Sequence, residues 1–148
     1  MSTYTQIIYQ IIFSTKYRYP VLEKHHRKKL FRFIWGILKN NNCHLYQING
    51  VEDHLHILVD LHPSIALADL IKDIKLGSSS HIKEQQLFAG FTGWQEGYAA
   101  FTYSIKERER LIAYVKNQEE HHKTLTFKEE LIGLLQEHGV SFNEKYLL

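Results

Sequence analysis

The amino-acid sequence predicts an α+β protein in which an antiparallel sheet carries helices on one face. Short β-branched and aromatic runs alternate with longer segments whose apolar residues recur every three or four positions, in the order β-α-β-β-α-β with two further helices behind. In the stretch 54–60 (HLHILVD), Leu55, Ile57 and Val59 fall on one side of a strand, and His54 and His56 on the other. The chain has 148 residues, 44% hydrophobic and 23% charged, which suits one core and is short for two, so residues 1–148 are read as a single domain.

Each element has its own signature. Residues 5–15 (TQIIYQIIFST) are β-branched, aromatic and nearly continuously apolar, as a central strand requires. Lys16-Tyr17-Arg18-Tyr19 then interleaves cations with rings before Pro20. Glu23 to Asn40 reads as a helix, because Leu30, Phe33, Ile34, Ile37 and Leu38 line one side. Its basic first turn, with His26, Arg27, Lys28 and Lys29, reads as solvated surface, and Asn40 to Asn42 end it. Residues 43–49 (CHLYQIN) form a second strand, and Gly50 turns the chain into the His54–His56 strand as a hairpin.

Pro63 and Ser64 open a second helix, Ala66 to about Ser80, with Leu67, Leu70, Ile71 and Ile74 inward and Lys72 and Lys75 outward. Gly77-Ser78-Ser79-Ser80 either weakens that helix or lets another backbone come close. Residues 91–94 and 98–103 read as extended, and 106 to about 121 as a third helix. Thr126 caps a fourth, with Glu129 completing a capping box, Leu131, Leu134 and Leu135 inward, and Gly139 just past its end. This order begins like a ferredoxin-like or RRM-like split βαβ unit, whose second sheet face is free. If Leu55, Ile57 and Val59 lie under the helices, His54 and His56 face that open side.

Composition narrows the function classes. Cys43 is the only cysteine, so there is neither a disulfide framework nor a thiolate metal cluster, and a reducing cytoplasm is the expected compartment. The N-terminal residues lack the features of a signal peptide, and no apolar run approaches the roughly 20 residues that cross a bilayer, so no membrane association is expected. A formal net charge of +2 neither demands nor excludes nucleic acid.

Histidines two apart on a strand project side by side and make half of a metal site. With ten histidines in the chain, His54-Leu55-His56 is a weak signal by itself. The third helix offers a partner: Tyr114 and Gln118 are four apart and share a face. Tyr114 lies about 120° from the core stripe of Ile105, Leu111, Ile112 and Val115 at about 100° per residue. A phenol is a poor nucleophile at neutral pH unless a metal, a base or a charged neighbour activates it. Phosphodiester transfer in turn needs a Lewis acid at the phosphoryl oxygens. Two imidazoles and an amide oxygen suit Mn²⁺, with Mg²⁺ the abundant candidate.

The His-Leu-His strand followed by a helical Tyr-x-x-x-Gln resembles the small single-tyrosine HUH transposases, the single-strand DNA transposases of minimal insertion sequences and their repeat-associated relatives. Residues 13–22 (FSTKYRYPVL), 94–101 (WQEGYAAF) and 114–122 (YVKNQEEHH) resemble that family too, so the likeness runs in order along essentially the whole chain. The resemblance implies His54, His56 and Gln118 as metal ligands and Tyr114 as the nucleophile on a helix added to the sheet, with a further C-terminal helix behind it. It implies cleavage of single-stranded DNA at element ends, a 5′-phosphotyrosine intermediate, recognition of end hairpins, and a homodimer with composite active sites in a bacterial or archaeal cytoplasm. The absence of a G-x-x-x-x-G-K-[ST] loop agrees with chemistry that consumes no ATP.

Lys16, Tyr17, Arg18 and Tyr19 combine phosphate-binding cations with rings on which bases stack. Lys72, Lys75, Ser78 and Ser79 could touch a hairpin backbone. The resemblance gives His121 and His122 no role; they could approach the metal from the end of the helix, but they read as surface residues. Two rival functions remain: a non-catalytic single-strand-binding module of RRM-like fold, and a metal-dependent phosphoesterase that uses water. Against the first, no RNP1-like string is present, and His54, His56, Tyr114 and Gln118 are all retained.

Overall fold

The computed structural model describes residues 1–147. Its hub is β1 (Ile8–Ser14), paired antiparallel with β3 (His54–Asp60) on one side and β4 (Ala99–Tyr103) on the other. β2 (His44–Gly50) adds to β3, giving the order β2-β3-β1-β4 of a ferredoxin-like sheet. Helices α1 (Lys24–Asn40) and α2 (Leu67–Gln85) cross between strands. Behind β4 come α3 (Arg108–Lys116), α4 (Gln118–His121) and α5 (Phe127–Glu137). The predicted fold class holds.

Strand alternation sorts the side chains into two layers. Ile11 and Phe13 of β1 join Leu55, Ile57 and Val59 of β3 in one core with Leu30, Ile34 and Leu38 of α1 and Leu70, Ile71, Ile74 and Ile82 of α2. On the opposite face Ile8 and Leu58 pack against Leu111 and Val115 of α3, and Ile12, Ala99 and Phe101 against Phe127, Leu131, Leu134 and Leu135 of α5. The expectation of an open second face is therefore corrected: the added helices roof it, and His54 and His56 are fully buried. Ile8, Ile12, Leu58 and Phe101 make that face too apolar to leave in water.

Several element boundaries move for local reasons. Residues 91–94 form no strand, and only an isolated bridge joins Thr15 to Trp94. α2 runs straight through Gly77 to Ser80, and a Cβ on Gly77 would sit 3.0 Å from Ile37 Cδ1, so the small residues admit α1. The third predicted helix breaks at Asn117 (φ −93°, ψ 21°), where the side-chain amide of Asn49 on β2 donates to the Lys116 carbonyl at 2.9 Å. Thr126 and Glu129 form the predicted capping box, and Gly139 is left-handed with φ +66°.

Arg27 is also not surface. It is buried, donates to the Leu22 carbonyl and pairs with Glu52 and Glu119, tying α1 to the β2–β3 turn and to α4. Among the described residues no helix is long and apolar enough to cross a membrane.

Candidate active site

The roofed sheet face holds one polar cluster in an otherwise apolar layer. β3 contributes His54 and His56, whose ring centroids are 5.2 Å apart. Opposite His56 in the ladder is Ile12, and opposite His54 is Ser14. α4 contributes Gln118, fully buried, with Oε1 3.4 Å from His54 Nε2. The last turn of α3 contributes Tyr114, half-buried, whose ring lies edge-on to His56 at 5.9 Å. The structure thus brings His54, His56, Tyr114 and Gln118 together within one chain.

Two residues not expected in the cluster complete it. Glu130 of α5 is buried beneath the sheet, with Oε1 3.0 Å from His56 Nε2, 3.1 Å from His122 Nε2 and 3.3 Å from His54 Nε2. Its Oε2 accepts hydrogen bonds from the Tyr114 hydroxyl and, at 3.1 Å, from the Gln118 amide. His122, expected at the surface, turns inward instead, with Nε2 3.2 Å from Gln118 Oε1. A sequence signal for Glu130 existed: on a helical wheel it shares the stripe of Phe127, Leu131 and Leu134. His122 had one too, lying four residues after Gln118 and eight after Tyr114 on the same helical spacing. His121 packs on the Tyr114 ring at 4.6 Å, outside the ligand cluster.

The groups behind the histidines fix which ring nitrogen faces inward. Asp53 Oδ1 lies 2.7 Å from His54 Nδ1, and the Leu125 carbonyl 2.6 Å from His122 Nδ1. Both oxygens only accept, so each Nδ1 carries a proton, and in the neutral imidazole each Nε2 lone pair points into the cluster. Gln10 backs His56, with Nε2 3.0 Å from His56 Nδ1 and Oε1 accepting from the Tyr103 hydroxyl at 2.8 Å. Turning that amide over lets Oε1 accept from His56 Nδ1, the orientation that frees His56 Nε2 for a metal. Three imidazoles, a carboxylate and an amide oxygen then form a donor set fit for a divalent ion.

Electrostatics distinguish the members. Burial pulls the pKa of His54 down, but the bonds and charges of Asp53 and Glu130 outweigh it, and the net shift is upward. For His56 burial wins over Glu130, and the net shift is downward. Burial pushes Glu130 up, yet its bonds to His122, His54 and His56 hold it well below the usual carboxylate range. Burial first, and then the Glu130 charge, raise Tyr114 well above an ordinary phenol. In this arrangement Tyr114 is a protonated, resting group.

Farther out, Lys16, Tyr17 and Arg18 form a short 3₁₀ turn followed by Tyr19. Tyr17 and Tyr19 are exposed, with ring centroids 5.6 Å apart. Tyr17 and Arg18 are left-handed (φ 58° and 55°), and the Tyr17 amide donates to Gln95 Oε1 at 2.9 Å. Lys72, Lys75 and Ser79 line a groove facing Trp94, Gln95, Glu96, Gly97 and Tyr98. The Lys75 ammonium donates to the Gln95 carbonyl at 2.9 Å and to that of Gly97 at 2.5 Å. Ser78 does not join them: it is fully buried, donating to the Ile74 carbonyl and accepting from Trp94 Nε1 at 2.9 Å. The expectation that Ser78 meets a DNA backbone is corrected by its position on the inner face of α2.

Comparison with known proteins places the chain among transposases. Residues 3–118 match the family model described as "Transposase IS200 like". The ISDra2 transposase TnpA of Deinococcus radiodurans is 25% identical over 119 residues, which cover 76% of this chain and 84% of that protein. A crystal structure described as a transposase of Deinococcus radiodurans superposes with a TM-score of 0.60 at 25% identity, covering 80% of this chain and 95% of that one. A REP-associated tyrosine transposase bound to a REP hairpin gives a TM-score of 0.60 at 14% identity, over 82% of this chain and 74% of that one, a likeness of fold.

Proposed function

The chain belongs to the IS200-like transposase family, and from that premise we propose that it cleaves and rejoins single-stranded DNA at element ends through a tyrosine nucleophile and a divalent ion. The observation that carries this reading is the convergence of Tyr114, Gln118, His54 and His56 on one buried point, from segments far apart in sequence. The Tyr114 oxygen attacks the scissile phosphorus and the bond to the 3′ oxygen breaks, leaving a 5′-phosphotyrosine and a 3′-OH. A second 3′-OH then attacks the phosphotyrosine, forms the new phosphodiester and returns the phenol. One ester bond is exchanged for another at each step, so no ATP is needed.

His54, His56 and Gln118 would hold Mg²⁺ or Mn²⁺, which when bound polarises the phosphoryl oxygens and offsets their developing charge. Asp53 and Gln10 orient the two imidazoles. The phenol donates a hydrogen bond to Glu130, while burial first and the carboxylate's charge second oppose its ionisation in this arrangement.

For the substrate, the REP-associated relative bound to a hairpin supports single strands with end hairpins as the partner. Tyr17 and Tyr19 would stack bases while Lys16 and Arg18 neutralise phosphates, and Lys72, Lys75 and Ser79 would meet the hairpin backbone. Alanine at Lys16 or Arg18 is expected to weaken hairpin binding and to reduce the slope of log affinity against log salt by about one. Fluorescence anisotropy at several salt concentrations checks this. The protein would work as a homodimer with composite sites, in the cytoplasm of a bacterial or archaeal cell.

The test is incubation with a labelled single strand carrying a candidate end hairpin and Mg²⁺ or Mn²⁺, resolved on a denaturing gel. A metal-dependent covalent protein–DNA band supports the reading. Cleavage without that band means a hydrolase using water, binding without cleavage means a non-catalytic module, and cleavage of duplex DNA also counts against the proposal.

A further inference from the structure

His54 and His122 each commit their Nδ1 proton to an oxygen that can only accept, the Asp53 carboxylate and the Leu125 carbonyl. In the neutral form their Nε2 lone pairs face two more acceptors. Glu130 Oε1 is 3.3 Å from His54 Nε2 and 3.1 Å from His122 Nε2, while Gln118 Oε1 is 3.4 Å and 3.2 Å from the same atoms. With the imidazoles neutral, lone pairs meet lone pairs around a carboxylate whose side chain is only 1% exposed. A buried anion in such a cage requires a cation among the donors, either a protonated imidazole or a bound metal ion.

The separations of 3.0 to 3.3 Å between Glu130 Oε1 and the three imidazole nitrogens approach the edge of a tetrahedral site, which is roughly 3.4 Å when ligands lie about 2.1 Å from a metal. We propose that His122 and Glu130 are metal ligands in their own right, closing with His54 and His56 a four-donor site that takes a zinc-class transition ion in the resting protein. This builds on the metal-dependent reading above and adds to it a second ligand set. Three imidazoles and one carboxylate prefer Zn²⁺, Co²⁺ or Mn²⁺ over Mg²⁺, which favours oxygen ligands and its own water.

Four protein donors fill a tetrahedral ion, so the resting site has no open position for a phosphate. α5 supplies the closing carboxylate, and the same carboxylate holds the Tyr114 hydroxyl through its other oxygen. Withdrawal of Glu130 would open a coordination position and release the nucleophile together. Gln118 Oε1 then stands ready beside His54 as the replacement donor.

Co²⁺ added to the metal-free full-length protein tests the assignment by visible absorption, with no DNA present. One Co²⁺ per chain with the intense bands of a tetrahedral site is expected. Glu130→Gln and His122→Ala, two independent positions, are each expected to weaken Co²⁺ binding by about 10- to 100-fold and to change the spectrum. His121→Ala, which lies outside the ligand cluster, is expected to leave both within about threefold. Wild-type affinity and spectrum in both Glu130→Gln and His122→Ala would overturn the proposal, as would a six-coordinate spectrum in the wild type or no binding at all. A metal-dependent adduct from a protein that fails these tests leaves the transposase reading standing and removes only the second ligand set. A tetrahedral Co²⁺ site in a protein that forms no adduct does the reverse.

Discussion

Tyr114→Phe is expected to abolish the covalent protein–DNA band and to lower strand cleavage by about 10⁴-fold or more, the scale on which a nucleophile's loss acts. The variant removes one oxygen and nothing else. The ring keeps its edge contact with His56 and its packing beside Leu111 and Val115. Glu130 loses one of its donors but keeps Gln118 and the imidazoles, so the stability cost is about 1–3 kcal/mol. Hairpin affinity should stay within about twofold, since the aromatic and basic groups argued to bind DNA lie on other elements. Tyr103→Phe is the matched control. It also deletes a partly buried hydroxyl, the one bonded to Gln10 behind His56, yet it leaves the nucleophile in place and should still form the adduct. Equal loss of adduct in both variants would mean that the site was merely loosened and that Tyr114 has no special role.

The contrast between those two tyrosines bears on what a sequence can say. Strand alternation was enough to separate Leu55, Ile57 and Val59 from His54 and His56, and the spacing of Tyr114 and Gln118 was enough to pair them. Both are short-range regularities of a single element. The roof over the second sheet face depends instead on which distant helix packs where. The nearly continuous apolarity of residues 5–15 was its trace, since a strand wet on one side would alternate more strongly.

Glu130 was legible in principle, as a charge on the apolar stripe of a helix, but its meaning depends on three imidazoles contributed by other elements. The break at Asn117 needed the side chain of Asn49 from β2. Ser78 shows the opposite error. In a run of glycine and serines it looks like a polar surface, yet helical phase turns it inward to the Trp94 indole. Sequence periodicity reads one element's faces well, and it is silent on what those faces meet.

The arrangement of Tyr114 beside its own chain's histidines sets up the second large effect. A 1:1 mixture of Tyr114→Phe and His56→Ala proteins, each inactive alone, is expected to recover about a quarter of wild-type cleavage if the working sites are composite in a two-fold dimer. Half of the randomly formed dimers would be mixed, and each mixed dimer would join the intact tyrosine of one subunit to the intact histidine pair of the other. In the resting geometry Glu130 holds the phenol, and burial first and the Glu130 charge second raise its pKa, so a rearrangement that exposes Tyr114 would favour chemistry. The segment that would move is bounded by the four residues Ser104 to Glu107 before α3 and by the turn after α4. It is held by Asn49 on the Lys116 carbonyl and by Lys24 and Arg27 on Glu119, all contacts that a second copy of the same chain could supply equally well. Gel quantitation across mixing ratios decides the matter: recovery that peaks near equal amounts supports exchange between subunits, whereas none at any ratio means that Tyr114 acts on the histidine pair it already touches.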